Sequence, residues 1–403
     1  MRPLPLRALL IAAVIAATLI PARAAFAFTD VPTDYWAYEA ITFMATTNTW
    51  MQDYGTGLFK PTSKEIRNYL ARTLVEMYAP TEPIDPSITF TDLPTTDPFY
   101  PYANVVVKLD WLPKYLDGRW AGGSAVPASL FDRAIIDALG LSAPVAGLAA
   151  IHEDDGSPYV VGDRFPHMQL ARWLGLHYDH DDESKDIQAT THIKRDEVAY
   201  SLWTAWNLSS WQLDGTSIFD DITLPSVSGI RQTVTSFALN QIGFPYIWGG
   251  EWNAKSPPGY CCGDQPQAGM DCSGFVWWVE KKNEDNYNAA QFRSYGGWSV
   301  HQRSSSEMAE FTTTQLAFAD LKPTNLMFFA SGGGDTWADV DHVGIYLGNN
   351  WMIHSTAGGP QLDWVGDGYY FDNFVYGREL KSTSDSGPVR PDFVLGGDRP
   401  VGP

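Results

Sequence analysis

The sequence predicts an α+β protein, an all-α region of three related units followed by a domain that combines helices with paired strands. Three observations predict it. Short motifs recur along the first half of the chain with apolar residues at helical spacing behind them. From His342 the apolar residues alternate instead, as in strands with one face buried. Between two such alternating runs sits Gly348-Asn349-Asn350, a hairpin signal. At 403 residues the chain is longer than one hydrophobic core comfortably serves, so more than one domain is expected.

The first residues carry Arg2 and Arg7, then an apolar run from Ala8 to Ile20, then the small-residue segment Pro21 to Ala27. This order predicts a secretory signal peptide over residues 1–27, cleaved after Ala24 or Ala27. A spanning helix needs about 20 apolar residues and no stretch is that long, so no transmembrane segment is expected in the mature chain.

The first unit opens Phe28-Thr29-Asp30-Val31-Pro32 and continues through Tyr35-Trp36-Ala37. Gly55 to Pro61 then leads to a helical pattern from Ile66 to Tyr78, whose apolar face is Ile66, Leu70, Leu74 and Met77. The second opens Phe90-Thr91-Asp92-Leu93-Pro94 and ends in a helix near Phe131 to Leu139. The third has a helix from Phe165 to Leu176 and a second opening at Ile193-Lys194-Arg195-Asp196-Glu197. The units span about residues 28–80, 88–140 and 150–212 of a region 28–218.

These residues resemble the S-layer-homology (SLH) domain, a three-unit helical module. The resemblance implies attachment to a secondary cell-wall polymer. The family's Ile-Thr-Arg-Ala-Glu signature is kept best at Ile193 to Glu197, retains only Arg67 in the first unit and is hard to find in the second.

Residues 219–229 read as a linker, 230–385 as the second domain and 386–403 as a tail. The formal charge of −20 and the lack of a basic stripe argue against a nucleic-acid partner. Asp179 to Glu183 is acidic but lacks the alternating spacing of a calcium loop. Cys261, Cys262 and Cys272 are an odd number for an exported chain, so at least one has no intramolecular disulfide partner. Cys261-Cys262 lacks paired metal-ligand spacing, so neither metal nor cofactor is expected.

Asp271 is a good N-cap, which places Cys272 in the first turn of a helix continuing through Phe275, Val276 and Val279. Free amides and the helix dipole there favour a thiolate, so the thiol is expected below its ordinary pKa of ~8.5. In the strand from His342 to Leu347, His342 shares a face with Gly344 and Tyr346. A three-residue loop over Gly348 to Asn350 puts His354 on that same face; a two-residue loop puts it on the opposite one.

Pro245 to Gly250, Asp271 to Phe275 and His342 to His354 together resemble the NlpC/P60-type cysteine peptidases over about Ile230 to Gly377. The resemblance implies a papain-like fold and hydrolysis of the bond after D-glutamate in peptidoglycan stem peptides. It implies a secreted bacterial protein associated with the cell wall, with peptidoglycan as partner. By position it makes Cys272 the nucleophile, His342 the base, His354 its orienting group and Tyr246 an oxyanion donor. Asp271, Ser273, Arg303, Ser304 and Ser305 fall at the substrate groove. Thr324-Asn325 stands where the family usually has Gly-Asp, and the insertions Glu251 to Met270 and Ser331 to Asp341 flank the cleft. The same residues would serve an amidase or acyltransferase, and an occluded site would leave a wall-binding protein.

Overall fold

The computed structural model describes residues 28–55, 57–252, 255, 265–280, 300 and 302–380. The expected signal peptide, Cys261-Cys262 and the expected tail from 386 lie outside the described residues.

The helical region holds α1 (Tyr38–Thr42, continued as a π-turn over Phe43–Thr47), α2 (Arg67–Tyr78), α3 (Tyr100–Lys108), α4 (Ala128–Ala138), α5 (Ser142–Ala149), α6 (Phe165–Trp173), α7 (Arg195–Trp206) and α8 (Ser210–Gly215). Its openings repeat atom for atom in two places. The Asp30 carboxylate accepts from the amides of Phe59 and Lys60 at 3.0 and 2.7 Å, and Asp92 accepts from Trp120 and Ala121 at 2.7 and 2.8 Å. Each carboxylate satisfies two backbone donors where the chain turns through a left-handed residue, Lys60 at φ 59° and Ala121 at φ 53°.

The residues just before α2, α4 and α7 close a ring. Glu65 N–H donates to Ile193, Ile193 N–H to Val126 and Val126 N–H to Glu65, at 2.8 to 3.0 Å. The three positions are equivalent, so the third counterpart of Arg67 and Arg195 is Ala128. The second unit has lost its arginine, which is why its signature cannot be found by eye.

Both remaining arginines are buried. Arg67 Nε donates to the Trp120 carbonyl, and Arg195 Nε donates to that of Phe59, each at 2.9 Å. Arg195 also pairs with Glu65 at 3.0 Å and Asp53 at 2.7 Å. Burial pushes the Glu65 carboxyl up to about 7 against the pull of Arg195.

Strand β1 (His152–Glu153) pairs in parallel with β2 (Thr223–Leu224). Phe219, Ile222 and Leu224 are buried, so the segment expected to be a linker is packed into the core. Helix α9 (Ile230–Leu239) follows, then the short antiparallel pair β3 (Glu251–Trp252) and β4 (Gly269–Met270), and α10 (Cys272–Glu280).

Helix α10 packs on a six-stranded antiparallel sheet ordered β5-β10-β6-β7-β8-β9. Its strands are β5 (Gln315–Leu316), β6 (Leu326–Phe329), β7 (His342–Gly348), β8 (Trp351–Thr356), β9 (Gly359–Trp364) and β10 (Phe374–Arg378). One apolar core runs through both halves of the molecule, joined where Trp173 and Trp351 each pack 5.6 Å from Phe219.

The β7–β8 hairpin does not use the three-residue loop that would put both histidines on one face. Gly348 pairs with Trp351 across a two-residue turn, Asn349-Asn350, at φ 49° and 63°. Tyr346 pairs with Met352, so Leu347 is an extra residue in β7. A two-residue turn alone would separate the histidines; the bulge restores the parity. Ahead of β6, Thr324 sits at φ 71°. Its N–H donates to the Tyr346 carbonyl at 2.7 Å, while Asn325 Oδ1 accepts from Lys322 N–H at 2.7 Å.

A β-branched residue in the left-handed region costs about 1 to 2 kcal/mol. Thr324→Gly relieves that strain but removes the buried hydroxyl that accepts from Arg231 Nη1 at 3.1 Å, so in denaturant unfolding the two effects are expected to offset to within ~1 kcal/mol, and a loss above ~2 kcal/mol would contradict this. Arg195→Ala leaves Glu65 buried without its cation and Asp53 with Arg72 alone, and is expected to cost about 3 to 5 kcal/mol by the same measurement. A loss below ~1 kcal/mol would mean that the buried cluster does not hold the first and third units together.

Candidate active site

The site is built on the first turn of α10. Asp271 Oδ1 accepts from Gly274 N–H at 2.5 Å and from Ser273 Oγ at 3.0 Å, and its backbone carbonyl accepts from Phe275 N–H. That is the expected cap. Gly274 is required by close approach, since a Cβ there would stand 1.9 Å from the Gly250 carbonyl oxygen.

Arg303 locks this turn from beneath. Its Nη1 and Nη2 reach the two oxygens of Asp271 at 3.0 and 3.1 Å, while Nε donates to Glu251 at 3.1 Å. Nη1 also donates to Ser273 Oγ at 2.8 Å and Nη2 to the Gly250 carbonyl at 2.9 Å. Asp271, Ser273 and Arg303 are all buried. The resemblance sets them at the groove; in the structure their polar atoms bind one another and hold Cys272 in place. Ser304 caps the short helix Ser305–Glu310 by accepting from Glu307 N–H, and Ser305 is buried.

Cys272 is buried, and the backbone amides of Val343 and Ser273 lie near enough to its sulfur to favour the thiolate. The Val343 contact sets the sulfur beside the start of β7, where His342 stands. The ring of His342 lies 2.7 Å from that of His354, Nε2 to Nδ1, and His354 Nε2 lies 2.7 Å from Asp363 Oδ2. An ionised carboxylate only accepts, so His354 Nε2 carries a proton. In the neutral ring His354 Nδ1 then accepts, His342 Nε2–H donates to it, and Nδ1 of His342 is left with a lone pair. That nitrogen is the one free to take up a proton. Gly344 lies opposite His354 in the sheet, and a Cβ on it would come within 2.4 Å of Met352 Sδ and 3.1 Å of His354 Cβ.

The thiol does not behave as expected. Burial first, and then the Asp271 carboxylate, push it up to about 12, against the two amides and Arg303. His342 is pushed well below its ordinary value by burial and by His354. The resting pair is therefore an uncharged thiol and an uncharged imidazole. Burial outweighs the helix terminus, because the dipole contributes about 0.3 to 1 kcal/mol while desolvation of a thiolate costs several.

Tyr246 is half-buried, and its hydroxyl is held protonated by burial first and then by the carboxylates of Asp271 and, from the helical region, Glu183 and Asp179. It is a hydrogen-bond donor close to the sulfur. The neighbouring Trp248 side chain is largely exposed, and its backbone N–H donates to Glu183 at 2.7 Å. Tyr370 packs edge-on to His354 with ring centres 4.9 Å apart, and Phe329 lies 5.8 Å from His342.

The structure thus brings together Cys272, His342, His354 and Tyr246, and adds two residues that sequence reasoning missed. Tyr370 gives no sequence signal. Asp363 does give one, since in the hairpin register Gln361 faces His354 and Asp363 lies two residues on, on the same face.

Residues 243–379 match the NlpC/P60 family, and this part of the chain is an NlpC/P60 domain. The chain is 30% identical over 132 residues to a probable endopeptidase of Mycobacterium tuberculosis, covering 32% of this chain and 25% of that protein. It is 28% identical over 148 residues to the bifunctional muramidase/DL-endopeptidase CwlT of Bacillus subtilis, covering 36% of each. The chain thus spans between a quarter and about a third of the length of these relatives. A crystal structure of an NlpC/P60 family protein from Bacillus cereus aligns at 23% identity and a TM-score of 0.28, over 40% of this chain and 42% of that one.

Because the resting thiol keeps its proton, the rate of Cys272 alkylation by iodoacetamide is expected to climb steadily from about pH 6 to 10. A plateau already reached near pH 6, with thiolate absorbance in the ultraviolet, would show a preformed ion pair and contradict this assignment.

Proposed function

We propose that the NlpC/P60 domain is a cysteine endopeptidase that hydrolyses peptidoglycan stem peptides at the bond between γ-D-glutamate and a diamino acid. We further propose that the protein acts after export, at the cell wall. The observation that carries the reading is the series Cys272, His342, His354 and Asp363 within the segment that matches the family.

The reaction follows from that series. As the sulfur attacks the amide carbon, its proton passes to Nδ1 of His342, so charge separates only while the new bond forms. The imidazolium is stabilised through His354 by Asp363. The oxyanion is met by the Tyr246 hydroxyl and the Cys272 backbone amide; one such donor is worth about 2.7 to 4 kcal/mol in comparable sites. His342 then returns the proton to the departing amine, and water attacks the thioester with His342 again as base. The NlpC/P60 name and the endopeptidase names of the relatives support the choice of peptide bond as target.

The helical region reaches the wall of the cleft through Glu183. A polymer-binding role for it would have to use groups other than Arg67 and Arg195, whose guanidinium groups are buried.

Purified peptidoglycan digested by the mature protein is expected to release stem-peptide fragments with a new amino terminus at the diamino acid. Cys272→Ala should lower the yield at least ~10³-fold. Equal release by Cys272→Ala, or intact stems after treatment with the parent, would defeat the reading. The sign of the His342 shift gives a pH test. A base whose proton affinity is lowered stays competent in acid, so the acid limb of the activity profile is expected below the ordinary histidine value of 6.5. A limb above that value would contradict the neutral pair.

A further inference from the structure

We infer that Gln169 and Trp173 of α6 are positioning residues of the active site, fixing β9 and, through Asp363, the aim of His354. The inference rests on the cysteine-histidine mechanism proposed above and assigns part of it to the helical region.

Asp363 has two oxygens with separate tasks. Oδ2 accepts from His354 Nε2 and from Gln361 Nε2, both at 2.7 Å. Oδ1 accepts from the indole N–H of Trp173 at 2.9 Å. A carboxylate held at one oxygen can turn about its Cβ–Cγ bond; held at both, it cannot. Trp173 therefore fixes the plane in which Oδ2 faces His354.

Strand β9 is fixed as well. The Gln169 side-chain amide donates to the Leu362 carbonyl at 2.9 Å and accepts from Leu362 N–H at 2.8 Å, so it acts as one more strand partner on this edge of the sheet. Gln169 is fully buried. On its other side the indole packs perpendicular to Phe219 and lies 3.1 Å from where a Cβ on Gly215 would stand.

Apolar contact alone would have joined the two halves. Instead, the helical region places a neutral donor on the one carboxylate that backs the histidine pair, 190 residues away in sequence. A hydrogen bond to a buried charged group is among the stronger kinds, and its loss leaves that oxygen unsatisfied.

A double-mutant cycle tests this, since a residue acting through Asp363 must lose its effect when Asp363 is gone. The readout is the neutral-pH alkylation rate of Cys272, identified by peptide mass, with kcat and KM measured in parallel. Trp173→Phe is expected to slow alkylation and lower kcat about tenfold, with KM held, and to change either by less than about twofold in an Asp363→Ala background. Gln169→Met, which keeps the bulk, provides a second variant with the same pattern should Trp173→Phe fail to fold.

Equal factors in both backgrounds, no change in the parent background, or a Cys272 equally reactive with and without Asp363 would each overturn the inference. Alkylation does not need the wall. A cycle that closes as expected while stem peptides stay intact would therefore reject the peptidoglycan reading and leave this one standing.

Discussion

Side-chain direction in a strand reverses at every residue, so one inserted residue decides whether two histidines on neighbouring strands can meet. In this protein that residue is Leu347. The two-residue turn at Asn349-Asn350 is the favoured way to connect twisted strands, yet by itself it would send His342 and His354 to opposite faces of the sheet. The bulge returns them to one face on a diagonal, where the rings close to 2.7 Å. Everything downstream depends on this register: the tautomer of each ring, the free nitrogen on His342 and the place of Asp363 behind them.

The same burial that excludes water from the site keeps its two reacting groups neutral. Arg303 and Asp271 are charged but consume one another, so Cys272 feels mainly desolvation and a neighbouring carboxylate. In the proposed mechanism the charge needed for catalysis is created during the attack and met by groups already in place: Tyr246, the first-turn amide, and Asp363 through His354. Such preorganisation acts only on the transition state, which is where it can accelerate a reaction.

Much of this could be read from the residues before any coordinates. Asp271-Cys272 announced a capped helix, and the alternation around His342 and His354 announced the strands, because both patterns are local. The hairpin was harder, because a bulge leaves no mark in the residue pattern and two loop lengths fit equally well. The thiol's raised pKa was out of reach, since it comes from packing by residues far along the chain. Asp271, Ser273 and Arg303 show the converse: the resemblance set them at the groove, and only three-dimensional pairing shows that they brace one another beneath Cys272. Ala128 shows why the repeat looked incomplete. The ring of backbone bonds keeps three units equivalent even where the signature side chain has gone.

The helical region is an integral wall of the site, with Trp173 and Phe219 in the shared core and Glu183 on the Tyr246 side. The account as a whole stands on Cys272 forming a bond to the substrate's acyl carbon. The most direct measurement is acid quenching of the protein during turnover of a stem-peptide fragment, followed by mass mapping of the trapped species. The account predicts a thioester on Cys272 carrying the glutamyl half of the fragment, absent from Cys272→Ala. Turnover of the fragment with Cys272 unmodified at every quench time, and undiminished in Cys272→Ala, would contradict it.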